Sequence, residues 1–226
     1  MSEKSGAKAV CWLCPHRCHL ADGQTGFCRA RQNQGGIIRS LNYGLLTSAA
    51  LDPIEKKPLN HFLPGSRVLS FGTAGCNLMC KFCQNWDISK ARDMDRLTDR
   101  ASPEGIAGAA AASGCQSVAF TYNDPVIFAE YAMDVADACH ERGLRTVAVT
   151  AGYMHAEPRR AFYAKMDAAN VDLKAFTEGF YARLSAATSS RSLDTLPVPP
   201  ARDGHLAWRS PTLLIPGQND SSDELA

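Results

Sequence analysis

A long apolar run is the first thing this chain lacks. No stretch of it approaches the ~20 consecutive apolar residues of a membrane-spanning helix, so a helical membrane protein is not expected. The start is equally bare: Met1-Ser2-Glu3-Lys4-Ser5-Gly6 is polar, without the apolar core of a signal peptide. Neither sign of charge is in excess. The 24 Lys and Arg are offset by 23 Asp and Glu, for a net charge of +1. Nothing electrostatic therefore argues for nucleic acid or an anionic membrane as a partner.

What is present suits one main domain with a small appendage, since 45% of the 226 residues are apolar. The chain holds 9 cysteines. With no secretory signal, and at spacings that suit metal ligation, they point to a reducing cytoplasm rather than to disulfides.

The most informative run is Gly75-Cys76-Asn77-Leu78-Met79-Cys80-Lys81-Phe82-Cys83. Its spacing is C-x3-C-x2-C, with an aromatic before the last cysteine. Cys76, Cys80 and Cys83 can hold three irons of a cubane [4Fe–4S] cluster, whose usual complement is four thiolates. The fourth iron is then open, which marks chemistry rather than electron storage. A zinc site would want four ligands, usually in paired C-x2-C knuckles that this loop lacks.

The rest of the pattern predicts alternating strands and helices from Arg67 onward. Residues 67–71, 117–121, 146–150 and 171–174 read as strands. Ser102 reads as a helix cap before Pro103 and Glu104, with the Ala-rich run 106–112 continuing that helix to Gly114. Further helices are expected over 126–142, closed by Gly143, and over 157–165. Such alternation implies βαβ units and a parallel sheet, curled into a partial (β/α) barrel. Active residues of such folds collect at the C-terminal strand ends. The cysteine loop, Asn123-Asp124, Thr150 and Asp172/Lys174 all fall there. Residues 1–66 are expected as a small Cys-rich N-terminal module, loose over 1–10, and 67–226 as the barrel.

With these words in view, C-x3-C-x-Phe82-Cys83 resembles the signature of the radical S-adenosylmethionine (SAM) superfamily. Asp52-Pro53-Ile54-Glu55-Lys56-Lys57-Pro58-Leu59, His61-Phe62-Leu63-Pro64-Gly65, Thr121-Tyr122-Asn123-Asp124-Pro125 and Val171-Asp172-Leu173-Lys174-Ala175-Phe176 narrow it. Together they resemble the radical SAM member of the AmmeMemoRadiSam system, a relative of the pyruvate formate-lyase-activating enzymes. The resemblance implies a [4Fe–4S] cluster and SAM as cofactors. It implies reductive cleavage of SAM to a 5′-deoxyadenosyl radical, which abstracts hydrogen from a substrate the sequence does not identify. Cluster potentials reach down to about −700 mV, and the protein supplies orientation and dryness.

It also assigns the SAM pocket. Phe82 is a candidate adenine contact, with ordinary core packing as the alternative. Asp124 stands where relatives carry a Glu that accepts from the SAM amine. Asn123 and Thr150 flank it, and Ala151 replaces an Asn of the relatives. Asp172 and Lys174 match an Asp-x-Lys that lies beside SAM and a cation site, a structural ion pair being the alternative. The implied partners are an electron donor of flavodoxin or ferredoxin type, and a protein substrate or Memo-like and AMMECR-like proteins. Two rival functions stand beside this one: a glycyl-radical enzyme activase, and an inactive metal-binding fragment.

A second cysteine set is Cys11, Cys14, Cys18 and Cys28, in a glycine-bearing segment without helical period. A small module with little core needs a staple, and these thiols read as a metal clip. Zinc and a second iron–sulfur cluster both suit it, with His16 and His19 as substitutes for a thiol. Cys115 and Cys139 read as small core residues. Residues 185–211 are rich in Pro and Ser and break the pattern, as compensating frame slips would produce. The chain ends at Ala226 in what should be the start of a helix, so a C-terminally truncated barrel is expected.

Overall fold

The alternation from Arg67 onward dictates the architecture, because a strand with two buried faces needs a helix layer beside it. The computed structural model describes residues 2–5, 8–91, 99–188 and 207–225. Before residue 66 lie β1 (Ser2–Ser5), β2 (Lys8–Cys11), β3 (His19–Leu20), β4 (Arg31–Gln34), β5 (Ile37–Ser40), β6 (Leu45–Leu46) and β7 (Ser48–Pro53). After it come β8 (Arg67–Gly72), α1 (Trp86–Ser89), β9 (Asp99–Arg100), α2 (Pro103–Ala112), β10 (Ser117–Phe120) and α3 (Ala129–His140). The chain continues through β11 (Arg145–Thr150), α4 (Ala156–Tyr163), β12 (Ala168–Val171), α5 (Glu178–Phe180), β13 (Ala207–Arg209) and α6 (Ser222–Leu225). No helix among the described residues is long and apolar enough to cross a membrane.

Among the described residues the central sheet runs β13-β12-β11-β10-β8-β7. The pairs from β8 to β13 are parallel, while β7 lies antiparallel on β8. The expected α/β class with a mostly parallel sheet is therefore what forms. The sheet also reaches across the expected boundary at 66/67, because β7 belongs to it.

The two sheet faces divide by residue size. Leu69, Phe71, Val118, Phe120, Ala148 and Val171 pack with α2 and α3 residues in the larger core. Val68, Ala119, Val147 and Ala168 face the other way in a small cluster closed by Ile54 and Leu59. These last two come from the turn after β7, so that turn seals the N-terminal half of the inner face. Above it the same face carries small or polar side chains, which leaves space.

Several local expectations shift. The stretch expected to be loose pairs as β1 and β2, in register from Ser2↔Cys11 to Ser5↔Lys8, because Ala9 and Val10 are buried there. The helix expected at 126 opens as a 3-10 turn over Pro125–Phe128, capped by Asp124, before α3 proper. The strand expected over 171–174 forms instead as β12, Ala168–Val171. Asp172 N–H closes that ladder onto Thr150 O at 2.7 Å, which frees Asp172 and Lys174 beyond it. Ser102 caps α2 as expected, its hydroxyl accepting from Gly105 N–H. Of the irregular stretch 185–211, residues 189–206 lie outside the described residues.

Candidate active site

The residue before the first loop cysteine sets the loop's position. Gly75 has φ 92°, and a Cβ there would stand 2.3 Å from the carbonyl oxygen of Cys28. Only glycine allows that approach. The loop's own amides then find acceptors elsewhere: Met79 N–H and Lys81 N–H donate to the carbonyls of Ser185 and Leu184. Asn77 Nδ2 donates to Tyr153 O at 2.9 Å, and His16 Nε2 lies 2.8 Å from Asn77 O. Cys76, Cys80 and Cys83 are half-buried and line a single cavity of about 820 Å³. Burial pushes the Cys76 thiol up to about 12, against backbone donors from Leu78 and Asp124 that favour the thiolate. Burial raises Cys80 too, opposed by the charge of Lys174.

Asp124, Thr150, Asp172 and Lys174 line the same cavity. The Asp124 carboxylate is buried and accepts three hydrogen bonds, which leaves one lone pair on Oδ2: Oδ1 accepts from Thr150 Oγ1 at 2.7 Å and Val126 N–H at 3.1 Å, and Oδ2 from Ala151 N–H at 2.9 Å. Desolvation raises its pKa, and these donors work against that. The shorter Asp is thus matched to a backbone donor at position 151. Asp172 accepts from Asn170 Nδ2 at 2.7 Å and from Lys174 Nζ at 2.6 Å. Burial opposes the Lys174 charge, but Asp172 holds it, with Cys80 and Asp124 adding, and the pKa is raised.

Asn123 and Phe82 are at the cavity with further tasks. The Asn123 amide is committed to the cysteine loop: Nδ2 donates to Gly75 O at 2.7 Å, and Oδ1 accepts from Thr73 N–H at 3.2 Å. It positions the loop. Phe82 lines the cavity and packs on Phe180 with ring centroids 5.7 Å apart.

Sequence reasoning gave no role to a second group on the wall. Asp52, Lys56 and Lys57 line the cavity with Tyr122 and Asn170. The runs Asp52–Leu59 and Thr121–Pro125 are words of the resemblance; nothing in them marks which side chains of this group face inward.

Cys11, Cys14, Cys18 and Cys28 border one small apolar pocket, with Arg31 and Asn77 in its wall. Burial raises the thiol pKa of Cys11, Cys14 and Cys28, the last to about 11. Among the described residues, no three His, Cys, Asp or Glu stand as ligands of one ion. A cubane makes no such demand, since each thiolate binds a different iron. His19 is exposed on β3 and absent from this pocket's wall, while His16 is turned to Asn77 and stacks on Phe27. Cys115 and Cys139 lie in the larger core, as expected.

The donor set suits a cluster and SAM together. Three thiols, backbone donors toward sulfur, and carboxylates beside a lysine share one cavity within the ~300–1,000 Å³ range of small-molecule sites. Residues 71–225 match the family model for the Radical SAM superfamily. An uncharacterized protein of Methanocaldococcus jannaschii, MJ0808, is 35% identical over 96% of this chain, which spans 64% of that protein's length. The structure of TYW1 with a lysine-pyruvate adduct bound superposes with a TM-score of 0.51 at 16% identity, covering 97% of this chain and 70% of that one. Cysteine loop, parallel sheet and family match agree: the chain belongs to the Radical SAM superfamily, whose members use a [4Fe–4S] cluster and SAM.

Proposed function

We propose that this chain reductively cleaves SAM at the cavity above the inner sheet face, with Cys76, Cys80 and Cys83 as the cluster ligands. The observation that carries the reading is the meeting of those three thiols with Asp124, Thr150, Asp172 and Lys174 around one cavity. When bound, the cluster and SAM supply a 5′-deoxyadenosyl radical for hydrogen abstraction. The protein's own part is positional. Thr150 and Ala151 aim the Asp124 carboxylate, which accepts from the SAM amine through its remaining lone pair. Asn123 and Gly75 hold the cysteine loop. Phe82 offers a ring for the adenine, and the Asp172–Lys174 pair supplies charge beside the methionyl group.

The finer assignment is to the AmmeMemoRadiSam type, related to pyruvate formate-lyase-activating enzymes, and it rests on Asp52–Leu59, Tyr122–Pro125 and Asp172–Lys174 as they stand here. An electron donor of flavodoxin or ferredoxin type then serves it, with Memo-like and AMMECR-like proteins as partners. At Cys11, Cys14, Cys18 and Cys28 we place a structural metal clip. Zinc and a second iron–sulfur cluster both suit these four thiols.

Anaerobic reconstitution with SAM and a strong reductant, followed by assay for 5′-deoxyadenosine, tests the reading. Cys80→Ala should abolish product and remove the catalytic cluster's ~4 iron with its share of the absorbance, since no spare thiol lies on the loop. Undiminished product from that variant sinks the ligand assignment.

A further inference from the structure

The charged groups of the cavity are not evenly mixed. Near the cysteine loop stand Asp124, Asp172 and Lys174, one negative charge in excess. On the wall formed by β7 and its following turn stand Asp52, Lys56 and Lys57, one positive charge in excess. SAM, with a sulfonium, an ammonium and a carboxylate, carries a net positive charge and suits the first end. The second end asks for an anion.

The geometry at that end is built rather than incidental. Asp52 is the inner-face partner of Val68 in the β7–β8 ladder, and its carboxylate is buried. Oδ2 accepts from Lys57 Nζ at 2.9 Å and from Tyr122 Oη at 3.4 Å, and Oδ1 from Lys56 Nζ at 3.1 Å. Burial works to raise the Asp52 pKa, but the two lysines hold it down to about 2, so the carboxylate stays charged. The Lys57 side chain is only 6% exposed, against 67% for Lys56.

A buried ammonium has three N–H donors. Among the described residues Asp52 is the one hydrogen-bond acceptor of Lys57 Nζ, with the Tyr122 ring 5.1 Å away. Tyr122 is held there by a left-handed backbone at φ 70°, with its carbonyl accepting from Asn85 Nδ2. A little higher, Asn170 is 1% exposed and lines the cavity, its Nδ2 spent on Asp172. Among the described residues its Oδ1 is an acceptor without a partner. Buried donors and acceptors left unmade cost about 1–3 kcal/mol each, so these groups are arranged for something that enters the cavity.

We propose that the Asp52–Lys57–Tyr122 corner is the substrate subsite, binding the carboxylate or phosphate of a small polar substrate while Asn170 Oδ1 accepts from a donor on the same molecule. This deepens the radical SAM reading and rests on it for the identity of the other ligand. The closed floor of Ile54 and Leu59 beneath this corner suits a small molecule.

Titration calorimetry of the anaerobically reconstituted protein with inorganic phosphate and with acetate, each at constant ionic strength, tests the subsite. The wild-type protein should bind one of them saturably, and the preferred anion names the chemistry. Lys57→Gln should weaken that binding at least ~10-fold, as loss of a charged hydrogen bond does. Lys56→Gln, at an exposed site that tolerates substitution, should weaken it ~3-fold through charge alone, and Asp52→Asn should tighten it. No saturable binding to the wild type, or affinity unchanged in both lysine variants, overturns the proposal. SAM affinity is read in the same samples. A loss of SAM affinity in Lys57→Gln that matches the loss for the anion assigns the ammonium to the cofactor and also overturns it. If the wild type instead makes no 5′-deoxyadenosine, the functional reading fails while the anion result stands.

Discussion

Thr150 Oγ1 donates to Asp124 Oδ1 across 2.7 Å and in turn accepts Gly152 N–H at 2.9 Å. One hydroxyl thereby ties the end of β10 to the end of β11, and aims the buried carboxylate into the cavity. All three protein groups around that carboxylate are donors, so an amide cannot replace it without setting its NH2 against one of them.

Thr150→Val, which keeps the shape and deletes the hydroxyl, should cost about 1–3 kcal/mol of stability, because Gly152 N–H and one Asp124 lone pair lose their partner. Asp124→Asn should cost at least as much and weaken SAM binding further. Urea denaturation and equilibrium dialysis with SAM read the two effects; a Thr150→Val protein of parental stability and SAM affinity removes the aiming role.

Gly75→Ala tests the packing of the cysteine loop on Cys28. The new Cβ would meet the Cys28 carbonyl oxygen at 2.3 Å on a backbone at φ 92°. Strain of these two kinds is worth about 2–5 kcal/mol together. Both cysteine sets should lose metal in this variant, since the contact joins them. Metal analysis showing loss at only one set would mean the two fold independently.

Acid should loosen the structure through Asp167. Burial acts to raise its pKa, but His140 Nε2 at 2.9 Å, Thr146 N–H and Arg145 hold it down to about 2 from an ordinary 3.8. A depressed carboxylate stabilises the fold above its unfolded pKa and loses that contribution as pH falls through the folded one. About 2 kcal/mol should therefore disappear between roughly pH 4 and pH 2. Melting temperatures of wild type and Asp167→Asn should differ at neutral pH and converge across that window; a constant gap counts against the assignment.

Changing Cys11 and Cys14 together to Ser should lower thermal stability while some SAM cleavage persists. Metal analysis of the parent should give ~8 iron if the clip is a second cubane, against ~4 iron and ~1 zinc for an ion site. A double variant that stays stable and metal-replete yet loses cleavage would move these thiols into the chemistry.

The chain's local signals were enough for the cysteine loop, the α2 cap at Ser102, and the order of strands and helices from Arg67 on. Each depends on spacing within a few residues, and spacing is what a sequence displays. The same locality explains the errors. Lys8–Cys11 has no period of its own and becomes a strand only because β1 and β3 pair with it. Asp172 and Lys174 lie beyond β12 because its ladder with β11 runs out at Thr150.

Other facts were decided by tertiary structure alone. Asn123 is spent on the loop backbone at Gly75, 48 residues away. Asp52 and Lys57 face the cavity because β7 joins the sheet antiparallel to β8, and a shift of one residue would turn Asp52 outward. Register, and the side of a sheet on which a residue lands, follow from pairings between distant segments. The sequence by itself determined which chemistry the chain can carry; the pairing of β7 with β8 decided which charges stand beside it.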